Sequence, residues 1–179
     1  LTTDLCAQGI KAVGICGKDA DFLKVKKISS DKGDLGLVGE ITEVDTSLIN
    51  TLIDNDFVPV ISPIGVGSDG KSYNINADYA AVAVSGALNA QKLVFVTDVP
   101  GILADIDDPS SVISIIKVNE VKDMINKGII SGGMIPKVDC CIAGVEAGVD
   151  NVHILDGRIE HCLILEIFTK KGIGTLIEA

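Results

Sequence analysis

Lys137 ends the segment Gly132-Gly133-Met134-Ile135-Pro136-Lys137, in which a glycine pair runs into a helical pattern. Pro136 suits the first helical position, which puts Lys137 in the first turn. A cation there opposes the helix dipole and costs stability unless an anion binds nearby. Glycines that let the backbone approach closely, a helix N-terminus and a lysine together suit a phosphate group. A solvated surface lysine has the same spacing. The second constellation is Asn74-Ile75-Asn76-Ala77-Asp78, which opens into the small, apolar run Tyr79–Leu88. Alanine is the best helix former, so a helix is expected from Ala77 to Leu88 with Asn76 as its N-cap. Asn74, Asn76 and Asp78 then gather at one helix entrance, where N–H groups and the dipole favour anions. A capped helix with an acid in its first turn has this pattern too.

Other candidates are less specific. Asp98 follows the apolar run Lys92–Thr97 and opens Asp98-Val99-Pro100-Gly101-Ile102-Leu103. It fits a turn-forming acid, a hinge acid or a nucleotide contact, and the Pro-Gly pair favours the turn. His153 and His161 have no metal-ligand spacing with any Cys, Asp or Glu, so no metal site is expected. Gly65-Val66-Gly67 lacks the spacing of a dinucleotide fingerprint, and no Walker lysine motif or protein-kinase signature is found.

These residues need elements to hold them. Leu1–Gly9 reads as a helix end stopped by Gly9, and Ala12–Cys16 as a buried strand. Phe22–Ile28 and Leu37–Val44 read as strands of a hairpin-like excursion around the polar segment 29–36. A helix follows from Thr46 through Leu48, Ile49, Leu52 and Ile53, capped by Asp45 or Thr46. Phe57–Ile61 is a strand, and Pro63 starts a loop that delivers Asn74. Lys92–Thr97 is the clearest strand. Val118–Lys127 is helical and Gly128 stops it. Ile129–Met134 is a loop, and a helix runs from Pro136 to about Gly148 with Ile135, Val138, Ile142 and Val145 as its apolar face. Asn151–Leu155 is a strand, Asp156-Gly157 a turn, Ile159–Phe168 a helix and Gly174–Ile177 the last strand. Alternating strands and helices imply an α/β fold with a mainly parallel, doubly covered sheet. Ligands sit beyond the carboxyl ends of strands in such folds, so the loops at Asn74 and Asp98 are expected on one rim.

Of the 179 residues 47% are hydrophobic and only 3% aromatic, so aliphatic packing must build the core. The net charge of −10 argues against nucleic acid or an anionic membrane as partner, because like charge repels both. Cys6, Cys16, Cys140, Cys141 and Cys162 show no C-x-x-C spacing and read as buried thiols of a cytoplasmic protein. No apolar run nears the ~18 residues of a membrane span. The first residues lack a signal peptide's basic start, and the absence of an initiator Met suggests a fragment.

At Asn74–Asp78, Thr97–Leu103 and Gly132–Lys137 the sequence resembles the amino-acid kinase family, and within it the branch that phosphorylates N-acetyl-L-glutamate. The resemblance implies a three-layer αβα sandwich of the carbamate kinase-like kind. Residues 1–90 would be the rest of an acceptor lobe and 91–179 a nucleotide lobe. It also implies ATP, with Mg²⁺ carried on its phosphates, as phosphoryl donor. Asn74 and Asn76 would hold the acceptor, Lys137 would stabilise the transferring group, and Asp78 would organise the catalytic lysines. Asp98, Val99, Pro100, Gly101, Ile102, Leu103, Ile129, Ile130, Ser131, Gly133 and Met134 would enclose the nucleotide. His153, Glu166, Gly172 and Gly174 resemble the L-arginine site of feedback-inhibited members, and a homo-oligomer is implied. The front strand with a second lysine, a glycine-pair substrate loop and an arginine are expected of the family and are not in this sequence. The resemblance therefore covers the last three-fifths or so of such an enzyme. Another member acting on a different carboxylate or carbamate, or a binding module without catalysis, stays open.

Overall fold

The computed structural model describes residues 1–29, 33–169 and 172–179. The chain divides into two compact units, Leu1–Leu88 and Asn89–Ala179.

In the first unit α1 (Thr2–Ala7) leads to β1 (Ala12–Cys16), and a short turn precedes β2 (Leu23–Lys27) and β3 (Gly39–Val44). After α2 (Ser47–Asp54) come β4 (Val58–Ser62), β5 (Ile64–Gly67), β6 (Ser72–Asn74) and α3 (Ala77–Ala87). Thr46 is the N-cap of α2 and makes no side-chain cap bond, while Asp45 just before it accepts the Ser47 N–H with its Oδ1 at 2.9 Å. Strands β1 and β4 pair in parallel, and a separate sheet runs β3-β2-β5-β6. The segment after Pro63 is thus not a loop. Ile64–Gly67 and Ser72–Asn74 pair antiparallel around a turn at Gly70, and this hairpin hands Asn74 to the start of α3. Its alternation is too short to register as two strands in the sequence. The middle of segment 29–36, residues 30–32, lies outside the described residues. Phe22, Leu23, Val25, Ile49, Tyr73, Ile75, Ala80 and Val84 form the core of this unit.

The second unit holds β7 (Lys92–Thr97), β8 (Ile115–Lys117), α4 (Val118–Asn126), α5 (Met134–Glu146), β9 (Asn151–Asp156), α6 (Cys162–Phe168) and β10 (Thr175–Glu178). Its sheet has the order β7-β9-β10-β8, with β7/β9 and β10/β8 parallel and β9/β10 antiparallel. Strand β8 has no counterpart in the sequence pattern, because its apolar residues merge into the longer run ahead of α4. Helix α5 starts at Met134, so Pro136 is its third residue rather than its first. Its core-facing stripe runs through Val138, Cys141 and Gly144, while Ile135, Ile142 and Val145 are only half-buried. Helix α6 starts at Cys162; His161 before it is left-handed, at φ 61°, and 159–161 form a turn. Cys140, Cys141 and Cys162 are buried as expected, but Cys6 is exposed on the short α1. Ile154, Leu155, Ile116, Val138 and Ile177 are essentially inaccessible to solvent and define the core of this unit.

Candidate functional site

The polar mouth of α3 is built as its sequence implies. Asn76 has extended backbone, and its Oδ1 accepts the N–H groups of Asp78 at 2.9 Å and Tyr79 at 3.3 Å. That satisfies two of the orphan donors of the helix and leaves the carboxamide NH₂ outward. Asn74 is pinned by its backbone N–H to the Leu37 carbonyl at 2.8 Å, while its side chain is exposed. Asp78 is half-buried in the first turn, without a side-chain partner among the described residues. A cavity of about 510 Å³ opens beside Asn76, lined by Ile28, Val38, Ile41, Tyr79 and Val82. The cavity walls are mostly apolar, with Asn76 and Glu40 as their polar members apart from the Tyr79 hydroxyl.

In the second unit Lys137 sits in the first turn of α5, half-buried and without an ion pair among the described residues. Gly133 is the N-cap, and among the described residues beyond their own chain neighbours nothing lies within 4 Å of where a Cβ on Gly132 or Gly133 would be. The Met134 and Ile135 N–H groups are held by the Ser131 and Gly132 carbonyls at 3.2 and 3.3 Å, and Pro136 has none, so among the described residues the Gly132 and Gly133 amides, the dipole and the Lys137 ammonium are what this end of α5 offers an anion. Ser131 is exposed, Ile129 and Met134 are half-buried, and the Ile130 side chain is core at 1% exposure. Ile130 can offer a ligand its backbone but not its side chain.

Asp98–Leu103 leaves the carboxyl end of β7. Asp98 is exposed, Thr97 Oγ1 accepts the Val99 N–H at 3.0 Å, and Ile102 is buried at 1% exposure. Gly101, at φ 137°, packs so closely on Thr175 that a Cβ there would come within 2.7 Å of the threonine Oγ1. The Ile102 N–H donates to the same Oγ1 at 2.8 Å, and its carbonyl accepts the Ile113 N–H at 2.8 Å.

His153, Glu166, Gly172 and Gly174 do come together. His153 Nδ1 lies 2.8 Å from Glu166 Oε1, and their side chains are 9% and 6% exposed. Glu166 Oε2 accepts the N–H groups of Ile173 at 2.7 Å and Gly174 at 3.1 Å. Burial pushes the Glu166 carboxyl up, but the Ile173 N–H, His153 and the Gly174 N–H outweigh it and hold it below the ordinary glutamate range. Against that carboxylate Nδ1 carries the proton, which leaves the buried His153 Nε2 without a partner among the described residues. Gly172 is left-handed at φ 63°, and a Cβ there would stand 2.7 Å from Glu166 Oε2.

One ion pair is not foreseen by the sequence. Asp156, legible there only as a turn residue, is buried and takes three bonds from Arg158: its backbone N–H at 2.9 Å, Nε at 2.9 Å and Nη2 at 2.8 Å. The arginine side chain and backbone N–H bring the Asp156 carboxyl down to about 2. An acid two residues before an arginine at a strand end is the available signal. No cluster of three or more His, Cys, Asp or Glu able to hold a metal occurs among the described residues.

Mixed, largely parallel sheets with helices define an αβα protein of the amino-acid kinase/carbamate kinase-like kind. The model of the amino acid kinase family matches residues 1–156, and the chain belongs to that family. It is 49% identical to the acetylglutamate kinase of Symbiobacterium thermophilum over 99% of its own length and 62% of that protein's. Among solved structures, N-acetylglutamate synthase from Neisseria gonorrhoeae complexed with coenzyme A and N-acetyl-glutamate superimposes with a TM-score of 0.84 at 27% identity, over 99% of this chain and 40% of that one. The same synthase complexed with coenzyme A and L-arginine gives 0.79 at 26%, over 94% and 38%. The chain thus spans about three-fifths of the length of its curated relative. No described helix is long and apolar enough to cross a membrane.

Proposed function

We propose that this chain belongs to an enzyme that transfers the γ-phosphoryl group of ATP to the side-chain carboxylate of N-acetyl-L-glutamate, giving N-acetylglutamyl phosphate for arginine biosynthesis. Lys137 carries this reading: a half-buried cation, without an ion pair among the described residues, behind an open glycine pair at the start of α5. The second unit would bind the nucleotide through Asp98–Leu103, Ile129–Ser131, Gly133 and Met134. The first would bind the acceptor through Asn74 and Asn76. A carboxylate is already a nucleophile at neutral pH, so no general base is required. Its oxygen attacks the γ-phosphorus as the bond to the β,γ-bridging oxygen breaks and ADP leaves. Positioning and neutralisation of the equatorial oxygens would supply the rate, with Lys137 and the Gly132–Gly133 backbone as donors; the organising role of Asp78 rests on the family resemblance alone. Mg²⁺ carried on the nucleotide phosphates would offset their charge; the open donor set at α5 suits a triphosphate and asks for no carboxylate cage.

L-Arginine is the inhibitor proposed for His153, Glu166, Gly172 and Gly174. A buried carboxylate suits a guanidinium, and the synthase solved with L-arginine shares the fold. Because both Glu166 oxygens already have internal partners, a guanidinium would share Oε1 with His153. In a chain extended to the length of the relatives, arginine should inhibit, and Glu166→Ala should relieve it while leaving the uninhibited kcat at saturating ATP nearly intact. Inhibition that persists in Glu166→Ala would move the effector site elsewhere. Self-association into a homo-oligomer is checked on the same extended chain by light scattering.

Hydroxylamine trapping of the acyl phosphate tests the reaction. The extended chain should turn over acetylglutamate, whereas the 179-residue chain should bind ATP weakly and yield essentially no product. Robust product from the short chain would refute the role assigned to a second lysine. Absence of any ATP binding in calorimetry would refute the nucleotide reading.

A further inference from the structure

Two clusters in the second unit meet on consecutive residues. The Gly174 N–H is held by Glu166 Oε2 at 3.1 Å, and the next residue, Thr175, holds the Ile102 N–H with its Oγ1 at 2.8 Å. Thr175 is wholly buried at the start of β10, where it pairs with Ile154 of β9. Its hydroxyl is the acceptor for a buried amide in the middle of Asp98–Leu103, and Gly101 packs directly on it. A continuous line of contacts therefore runs His153, Glu166, Gly174, Thr175, Ile102, without leaving the unit. Because Gly174 is itself wedged against the Ile154 carbonyl, this stretch has no room to shift without moving its neighbours.

We infer that Thr175 is a positioning residue for the Asp98–Leu103 segment, and that it couples this segment to the His153–Glu166 cluster. The inference rests on the reading of 98–103 as a nucleotide segment, but the coupling itself does not. Whatever loosens Glu166 from the Ile173 and Gly174 amides frees the start of β10, and with it the acceptor that fixes Ile102. A side chain that touches no ligand thereby sets the shape of the turn that does.

The test uses the 179-residue chain, with amide exchange read by NMR and ATP affinity by calorimetry. Thr175→Val keeps the shape and removes the hydroxyl. It should speed exchange at Ile102 about tenfold or more and weaken ATP about fivefold to tenfold, the scale of one lost hydrogen bond. Thr175→Ser keeps the acceptor and should stay within about twofold of the parent. Gly101→Ala, which drives a methyl into Oγ1, should reproduce the valine result and serves if Thr175→Val fails to fold. Glu166→Gln should speed Ile102 exchange in the parent and add nothing in the Thr175→Val background. Unchanged Ile102 exchange in Thr175→Val and Gly101→Ala overturns the positioning role. Independent, multiplying effects of Glu166→Gln and Thr175→Val overturn the coupling. If the parent binds no ATP, the nucleotide reading falls while the exchange results still decide the relay.

Discussion

The mouth of α3 and the cluster around Glu166 are both gatherings of polar side chains, but they are finished to different degrees. At α3 one oxygen of Asn76 caps the helix, while the Asn74 side chain faces solvent and Asp78 stands without a side-chain partner among the described residues. At Glu166 both carboxylate oxygens are used and the side chain is 6% exposed. The side chains at α3 are left with bonding capacity to spare, whereas those around Glu166 are spent on the fold, so that any guanidinium arriving there must share Oε1 with His153. Lys137 belongs with the first kind. Substitutions should accordingly separate into those that move activity and those that move stability.

The largest effect is expected at Lys137. In the extended enzyme Lys137→Ala should lower kcat by about 10²–10³, or roughly 2.7–4 kcal/mol of transition-state stabilisation, the scale of losing one preorganised donor. Its melting temperature should stay near that of the parent, since no ion pair is lost. The acetylglutamate KM should change much less than kcat. A large rise in KM at constant kcat would move Lys137 from the phosphoryl group to the acceptor.

Glu166→Ala should do the reverse. It strands the Ile173 and Gly174 amides and the His153 ring, so unfolding in urea should show a loss of about 3 kcal/mol, at roughly one for each of the three groups left unsatisfied. Asn74→Ala, on the exposed side of the comparison, should fall within about 0.5 kcal/mol of the parent. Equal costs at both positions would erase the distinction.

Much of this contrast is legible in the sequence, for reasons that particular residues make clear. Asn76 announces its cap because capping is local, and the Lys92–Thr97 strand and the helix after Val118 are set by short-range apolar pattern and glycine stops. The pairing of Ile64–Gly67 with Ser72–Asn74 is not, since strands this short gain their identity from partners rather than from alternation. Pro136 misleads because its fixed φ is tolerated anywhere in the first turn, and Met134 and Ile135 extend the helix ahead of it. His153 and Glu166 are singled out by resemblance, but that Glu166 turns inward depends on Gly172 making room, which no spacing rule states. Thr175 carries no motif at all. Its role exists only because β10 brings it beneath Ile102.

A smaller effect sharpens the α3 side. Asn76→Ala removes the acceptor for the Asp78 and Tyr79 N–H groups and should cost about 1 kcal/mol of stability, while Asn76→Ser should recover most of it. In the extended enzyme Asn76→Ser should still show a raised acetylglutamate KM if the carboxamide NH₂ meets the acceptor. Kinetics of Asn76→Ser identical to those of the parent, at equal stability, would reduce Asn76 to a cap.

The smallest effect tests a pair that falls between the two extremes. Asp156 is buried and saturated like Glu166, but the side chain of its partner Arg158 is 67% exposed. The arginine holds the carboxyl at about 2 in the folded chain, against about 3.9 in an unfolded one. Below both values the unfolded and folded states are equally protonated. The contribution of the pair is therefore complete above about pH 4 and disappears as the pH falls towards about 2. Because the guanidinium is wet, salt should screen the contribution. Unfolding followed from about pH 5 to about pH 2 should show a shallower acid loss in Asp156→Asn than in the parent, with the gap narrowing in high salt. Glu166→Gln should also flatten the acid limb, since that carboxyl is likewise held below its ordinary value, but its partners are buried and salt should matter less. A gap at Asp156 that ignores salt would mean the three bonds from Arg158 act as a closed, desolvated unit, and would move this pair to the saturated side of the comparison.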